Sequence, residues 1–193
     1  MRTLTLSFIL LITLVVPLAL SLVTDEEAAT GVPDFIQTKL AAEQGVANSQ
    51  LNLGLMYYTG DGVSQDYQEA MVWYRRAAEQ GYAQAQTNLG VMYDNGEGVS
   101  QDAQQAAVWY RRAAEQGEAD AQYNLGLMYY NGQGVPENRV MAYALFNLAA
   151  ARGSDGAQNT KSEMAQHLTA SQIDEAEDLS TRWYQGEPLP EVR

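Results

Sequence analysis

AAEQGVANSQLNLGLMYYTGDGVSQDYQEAMVWYRR, residues 41–76, is followed at once by AAEQGYAQAQTNLGVMYDNGEGVSQDAQQAAVWYRR, residues 77–112. The two segments are identical at 25 of 36 positions. A third copy occupies residues 113–148, and a degenerate fourth begins at Ala149. A period of this length marks a solenoid, in which each unit buries its apolar face only against its neighbours. Such a chain is first of all a generator of binding surface.

Each unit divides into two helices. Gln50, Leu53, Gly54 and Tyr57 fall on one face at helical spacing, which predicts a first helix near residues 47–58. The loop TGDGV follows and recurs as NGEGV and NGQGV. Its paired glycines, Gly60 and Gly62 in the first copy, suit the positive φ of a tight turn. Val63, Val99 and Val135 are expected to plug the loop into the core. A second helix opens at Asp66, with Glu69 three residues on as a capping arrangement; Asp102 and Gln105 repeat it. Its buried stripe reads Ala70, Trp73, Tyr74, Ala77, Ala78. Gly81, Gly117 and Gly153 stand where a helix ends. Residues 34–44 read as a lone second helix ending at Gly45. Gly54, Gly90 and Gly126 lie inside the first helices, at about 1 kcal/mol each relative to Ala. Close approach of two backbones is the expected compensation.

The fourth unit lacks the glycine loop. Thr169 and Gln172 offer a capping box, and Ile173, Ala176, Leu179 and Trp183 follow at helical spacing. Asp174, Glu175, Glu177 and Asp178 form the solvated side of that helix. A polar-faced terminal helix is a cap. The expected organisation is a leader at 1–21, a solenoid over 34–184 and a frayed tail at 185–193. Within the leader, Arg2 precedes an apolar run, Pro17 breaks it, and Ala19-Leu20-Ser21 supplies a small-residue cleavage site. Residues 4–23 are also long enough to span a bilayer, so retention as an anchor is the competing expectation.

The combination AAxxGxAxAQxNLGxMYxxGxGVxxDxxxAxxWYxxAA closely resembles the Sel-one-like repeat, a subclass of tetratricopeptide-like helical repeats. Leu53-Gly54, Tyr57, Gly60, Gly62-Val63, Ala70 and Trp73-Tyr74 carry it in the first copy. Leu89-Gly90, Tyr93, Gly96, Gly98-Val99, Ala106 and Trp109-Tyr110 carry it in the second. The third keeps Leu125-Gly126, Tyr129, Gly132, Gly134-Val135 and Ala142 but has Leu145-Phe146 in place of Trp-Tyr. The LTxxQIxxA segment at 168–176 looks like a capping helix of such proteins. The resemblance implies an all-α, right-handed α-solenoid whose concave face is lined by first helices. It implies an adaptor that binds a protein or peptide, in the periplasm or outside the cell. Cysteine-rich relatives linked to β-lactam binding imply the alternative, a β-lactam or cell-wall-directed binding protein or hydrolase. This chain has no Cys, so it lacks that subgroup's signature.

Composition narrows the chemistry. The formal charge of −13 repels nucleic acid and anionic lipid and favours a basic partner. Without Cys there is no thiol nucleophile or Cys-based metal site. His167 is the only histidine and reads as a residue at a helix C-terminus rather than a base or ligand. No cofactor, metal or catalytic residue is expected. TGDG and DNGEG lack the ligand spacing of a calcium loop. Arg75-Arg76 and Arg111-Arg112 are expected to pair with Glu79 and Glu115 four residues on.

The repeats differ where packing does not hold them. Changes cluster at 48/84, 51/87, 55/91 and 58/94, which is one helical stripe. The partner-binding residues expected from it are Leu51, Tyr58, Thr87, Asp94, Tyr123 and Tyr130. Tyrosine there offers large contact area with a polar tip. Leu55, Val91 and Leu127 are apolar in all three copies and are open to a core assignment.

Overall fold

The computed structural model describes residues 35–187. The leader and anchor expectations, and residues 188–193 of the tail, lie outside the described residues. Within them the chain forms nine α-helices and no strand. The half unit is α1 (Phe35–Glu43). Three pairs follow: α2 (Ala47–Thr59) with α3 (Tyr67–Glu79), α4 (Ala83–Asn95) with α5 (Ala103–Glu115), and α6 (Ala119–Asn131) with α7 (Arg139–Ala151). The fourth unit is α8 (Asp155–Ala165) and α9 (Ala170–Tyr184). From α1 to α8 each helix packs on its chain neighbours, as a solenoid requires.

The loop between paired helices is a double staple. Gly60 takes φ 79° and Gly62 φ 70°, in the left-handed region that a Cβ disfavours. The Gly60 N–H closes α2 by donating to Met56 O at 2.8 Å. Asp66 then caps α3, accepting from the N–H groups of Gln68 and Glu69 at 2.9 and 3.1 Å. The return half of the expected capping box is absent there, because the Asp66 N–H donates to Tyr57 O at 2.8 Å. Asp102 and Asn138 bond Tyr93 O and Tyr129 O in the same way, both at 2.9 Å. Each cap thus ties the second helix to the first. Val99 and Val135 pack against the core from these loops, and Val63 is half-buried.

The helical glycines make room for rings, not for a second backbone. A Cβ at Gly54 would lie 2.5 Å from Tyr74 Cδ1, and one at Gly90 2.5 Å from Tyr110 Cδ1. At Gly126 it would meet Phe146 Cε1 at 2.6 Å. These three rings are among the largest fully or almost fully buried side chains. Burying an aromatic ring stabilises by a few kcal/mol, which exceeds the helix cost of the glycine.

A glutamine ladder runs through the interior. Gln50, Gln86 and Gln122 donate Nε2 to Ala42, Ala78 and Ala114 O at 3.0, 3.1 and 3.2 Å. Gln80 and Gln116 then donate to Gln50 Oε1 and Gln86 Oε1, each at 2.8 Å. The next rung is broken, since residue 152 is Arg. Its guanidinium lies 5.5 Å from the Tyr184 ring centroid and packs against Gly117. Gln122 Oε1, in a side chain only 1% exposed, is left without a partner. Arg152→Gln is therefore expected to stabilise the protein. An unsatisfied buried acceptor costs about 1–3 kcal/mol, against ~0.5 kcal/mol for an exposed cation–π contact. The net gain of about 1 kcal/mol corresponds to a melting temperature ~2–4 °C higher. An unchanged or lower value by calorimetry would contradict the ladder.

The cap departs from the repeat geometry. Thr169 and Gln172 form the full capping box. The connection shortens from residues 132–138 in the third unit to 166–169 here. Helix α9 consequently lies across α7. Ala176 and Trp183 are buried there, Ile173 and Leu179 pack against the same cluster, and Asn147 Nδ2 donates to Ser180 Oγ at 2.9 Å.

Candidate protein-binding face

The first helices place the 51/55/58 register along one side of the array, and the structure divides that register by depth. Thr87 is 3% exposed, with its hydroxyl bonded to Ala83 O at 3.1 Å. The expectation that Thr87 offers contact surface to a partner is corrected, since its side chain is buried. Position 51/87/123 sits at the seam with the next unit: the Tyr123 ring packs against Phe146, 5.7 Å between centroids, and approaches Gly156 of α8. Leu51 is half-buried against the same type of seam.

Position 58/94/130 is also a junction. Tyr58 donates its hydroxyl to Glu97 Oε2 at 2.9 Å, in the loop of the next unit. Asp94 Oδ1 accepts from Gln133 Nε2 at 2.9 Å, one unit further on. A donor facing an acceptor becomes an acceptor facing a donor. The divergence between copies at 58/94 is thus matched by divergence at 97/133. That coupling was present in the sequence and marks an inter-repeat contact. Tyr130 has no following glycine loop to meet and is 41% exposed.

Electrostatics follow from this partial burial. Desolvation, then the hydrogen bond and charge of Glu97, push Tyr58 up to about 12. Burial raises the Tyr74 and Tyr110 phenols and the Asp94 carboxyl as well. All three tyrosines are neutral at physiological pH.

What stays open on this side is apolar. Leu55 is 47% exposed, with Val91 and Leu127 half-buried at the equivalent positions. Val91 and Leu127 pack against the edge of the core, whereas Leu55 does not take the core role. A pocket of 110 Å³ lies between α2 and α4, lined by Leu55, Tyr58, Tyr74, Asn88 and Val91. Asn88 belongs to an NLG triplet that recurs at Asn52 and Asn124. Its constancy across three copies was a signal that the stripe comparison passed over.

The other side is built from second helices. Arg75 and Arg111 donate to the Tyr93 hydroxyl, at 2.7 Å, and to the Tyr129 hydroxyl. Arg76 and Arg112 lie over Trp73 and Trp109, 4.3 and 4.6 Å from the ring centroids. The ion pairs expected with Glu79 and Glu115 are not among those of the described residues. A flat guanidinium gains more from an aromatic face than from an exposed carboxylate four residues away.

His167 follows α8, its N–H donating to Met164 O at 2.9 Å. Its side chain is exposed and lines a pocket of 420 Å³ with Tyr130, Arg139, Met164 and Leu168. No cluster of three or more His, Cys, Asp or Glu with metal-holding geometry occurs among the described residues. No helix among them is long and apolar enough to cross a membrane.

Comparison with known proteins agrees with this architecture. The Sel1 repeat profile matches residues 47–82, 83–118 and 119–154, the same period set six residues later than the copies quoted above. A comparison with curated proteins gives no match. Among solved structures, the chain is similar to c5321, a protective antigen of uropathogenic Escherichia coli with an SLR fold. Identity is 37% and the TM-score 0.74, over 84% of this chain and 33% of that one, so the chain spans about a third of the antigen's length. A Sel1 repeat protein from Oxalobacter formigenes is 40% identical with a TM-score of 0.61, over 66% of this chain and 96% of that one. Cysteine rich protein B of Helicobacter pylori shares the fold at 23% identity and a TM-score of 0.56, over 69% of this chain and 98% of that one. Proteins of this repeat class generally serve as interaction scaffolds. With three repeats matched in phase over more than half of its length, the chain belongs to the Sel1 repeat family.

Proposed function

We propose that the protein is an exported, non-catalytic scaffold that holds a segment of another protein along its first-helix face. The observation that carries this reading is the exposed leucine Leu55 at the mouth of an apolar pocket, with hydrogen-bonding groups on Tyr58 and Asn88 beside it. Side chains of this kind, apolar with a few convergent polar atoms, are what a binding surface offers. Val91 and Leu127 continue the apolar line at 36-residue intervals. Asp94 and Glu97 beside it, within a chain of charge −13, favour a basic segment. Tyr58 and Tyr130 remain contact residues in this reading. Leu51 and Tyr123 act as supports at the seams. The export part rests on the leader-like order of residues 1–21, and a similar solved protein is a protective antigen.

Leu55→Arg tests the face. Leu55 is half out of the protein, so the melting temperature should stay within about 2 °C of wild type, as for most surface changes. Affinity for the partner recovered from envelope extract should fall at least ~30-fold, the size of an anchor residue's contribution. The association rate should also fall as salt rises. Undiminished affinity would place the contact elsewhere.

A further inference from the structure

We infer that the open end of the first-helix face, at the fourth unit, is a receptor for the free C-terminus of a peptide with an apolar last residue. It extends the scaffold reading, from which it takes the biological occupant. The chemistry of the pocket stands on its own residues.

The pocket exists because the repeat is interrupted. In the inner units the residue at the 58/94 register is covered by the following loop, through Tyr58–Glu97 and Asp94–Gln133. At Tyr130 the following connection is residues 166–169, which carries no glycine loop. The space so opened measures 420 Å³ and is lined by Tyr130, Arg139, Met164, His167 and Leu168.

Its polar groups favour an anion. Arg139 uses Nε to bond Glu137 Oε1 at 3.0 Å, and both side chains are about half exposed. Its remaining guanidinium donors have no protein partner among the described residues. The Tyr130 hydroxyl and the His167 imidazole likewise have none. A planar guanidinium matches a carboxylate in two parallel bonds, and a phenol and an imidazole N–H add donors. The other described cations are occupied differently. Arg75, Arg76, Arg111 and Arg112 are engaged on the second-helix side. Lys161 bonds Asn147, and Arg182 pairs with Asp178 and Glu187.

The same pocket has an apolar wall in Met164 and Leu168. A small inorganic anion would leave that wall wet. The α-carboxylate of a terminal Leu-like residue satisfies both parts. A peptide seated this way would run back from the cap towards Leu127, Val91 and Leu55.

N-acetyl-leucine and N-acetyl-leucinamide distinguish this receptor from a bare surface. His167 is the only histidine, so its ring protons give one set of NMR signals in the full chain. The acid should shift them saturably, and the amide at least tenfold more weakly. Arg139→Gln should weaken the acid at least tenfold. Glu137→Gln should tighten it by freeing Nε. The proposal is overturned if acid and amide act alike, if inorganic phosphate binds as well as the acid, or if the acid gives no shift. These probes need no protein partner, so failure of the scaffold reading and failure of the receptor would show separately.

Discussion

Gly90→Val is expected to lower the melting temperature by roughly 2–12 °C, from about 1–3 kcal/mol of overpacking at ~2–4 °C per kcal/mol. The new Cβ would enter 2.5 Å from the Tyr110 ring, and that ring is fully enclosed by the central core. It cannot swing aside as an exposed side chain would. Because units couple mainly to neighbours, the transition should also broaden, as melting spreads outward from the second repeat. Gly156→Ala is the matched control. Gly156 is also helical, but its nearest non-local neighbour would be 3.6 Å away, an ordinary contact. That variant should be neutral or slightly stabilising, following helix propensity alone. A Gly90→Val melt within a degree of wild type would mean that the ring does not depend on the glycine.

Gln86→Ala should cost about 2–4 kcal/mol, combining a cavity with an unsatisfied buried carbonyl. Gln86 donates to Ala78 O and accepts from Gln116 Nε2. Truncation strands the Ala78 carbonyl, while the exposed Gln116 keeps only its longer bond to Arg112 O at 3.4 Å. Gln122→Ala makes the informative comparison, because Gln122 keeps its bond to Ala114 O but has no donor on Oε1. Its loss should be smaller by roughly 1 kcal/mol, the net worth of one hydrogen bond. Chemical denaturation of the two variants measures the difference, and equal losses would deny the ladder an energetic role.

The solenoid was legible because repetition turns one chain into its own alignment. Leu53, Gly54 and Tyr74 kept their identity through the first two copies, and the structure buries all three. The cap was legible too, from the Thr169–Gln172 box and the spacing of Ala176 and Trp183. What repetition hides is which neighbour a residue faces. The expectation that variable positions face a partner failed at Thr87, since variable positions in a solenoid also face the next, non-identical unit. At Tyr58 and Asp94 the variation is also matched by a loop partner in the next unit. Comparing pairs of positions 39 apart would have revealed this from sequence. The arginines were misjudged because local i,i+4 reasoning ignores an aromatic face on the same helix, Trp73 for Arg76 and Trp109 for Arg112. The missing glycine loop of the fourth unit was legible, but the 420 Å³ pocket it leaves was not, because its lining comes from Tyr130, Arg139 and residues 164–168, which are far apart in the chain.

Two surfaces compete for the role of binding face. The first-helix side exposes Leu55; the second-helix side exposes Val72 and Val108, with a pocket of 300 Å³ beside Val108, Arg111 and Arg112. Site-specific photo-crosslinking in the producing cell separates them. A benzophenone amino acid placed at Leu55 or Tyr130, and in parallel at Val72 or Val108, reports whatever lies within a few ångströms. The expected result is one discrete crosslinked protein from positions 55 and 130, with none from 72 and 108. Crosslinks from 72 and 108 alone would contradict the first-helix binding face.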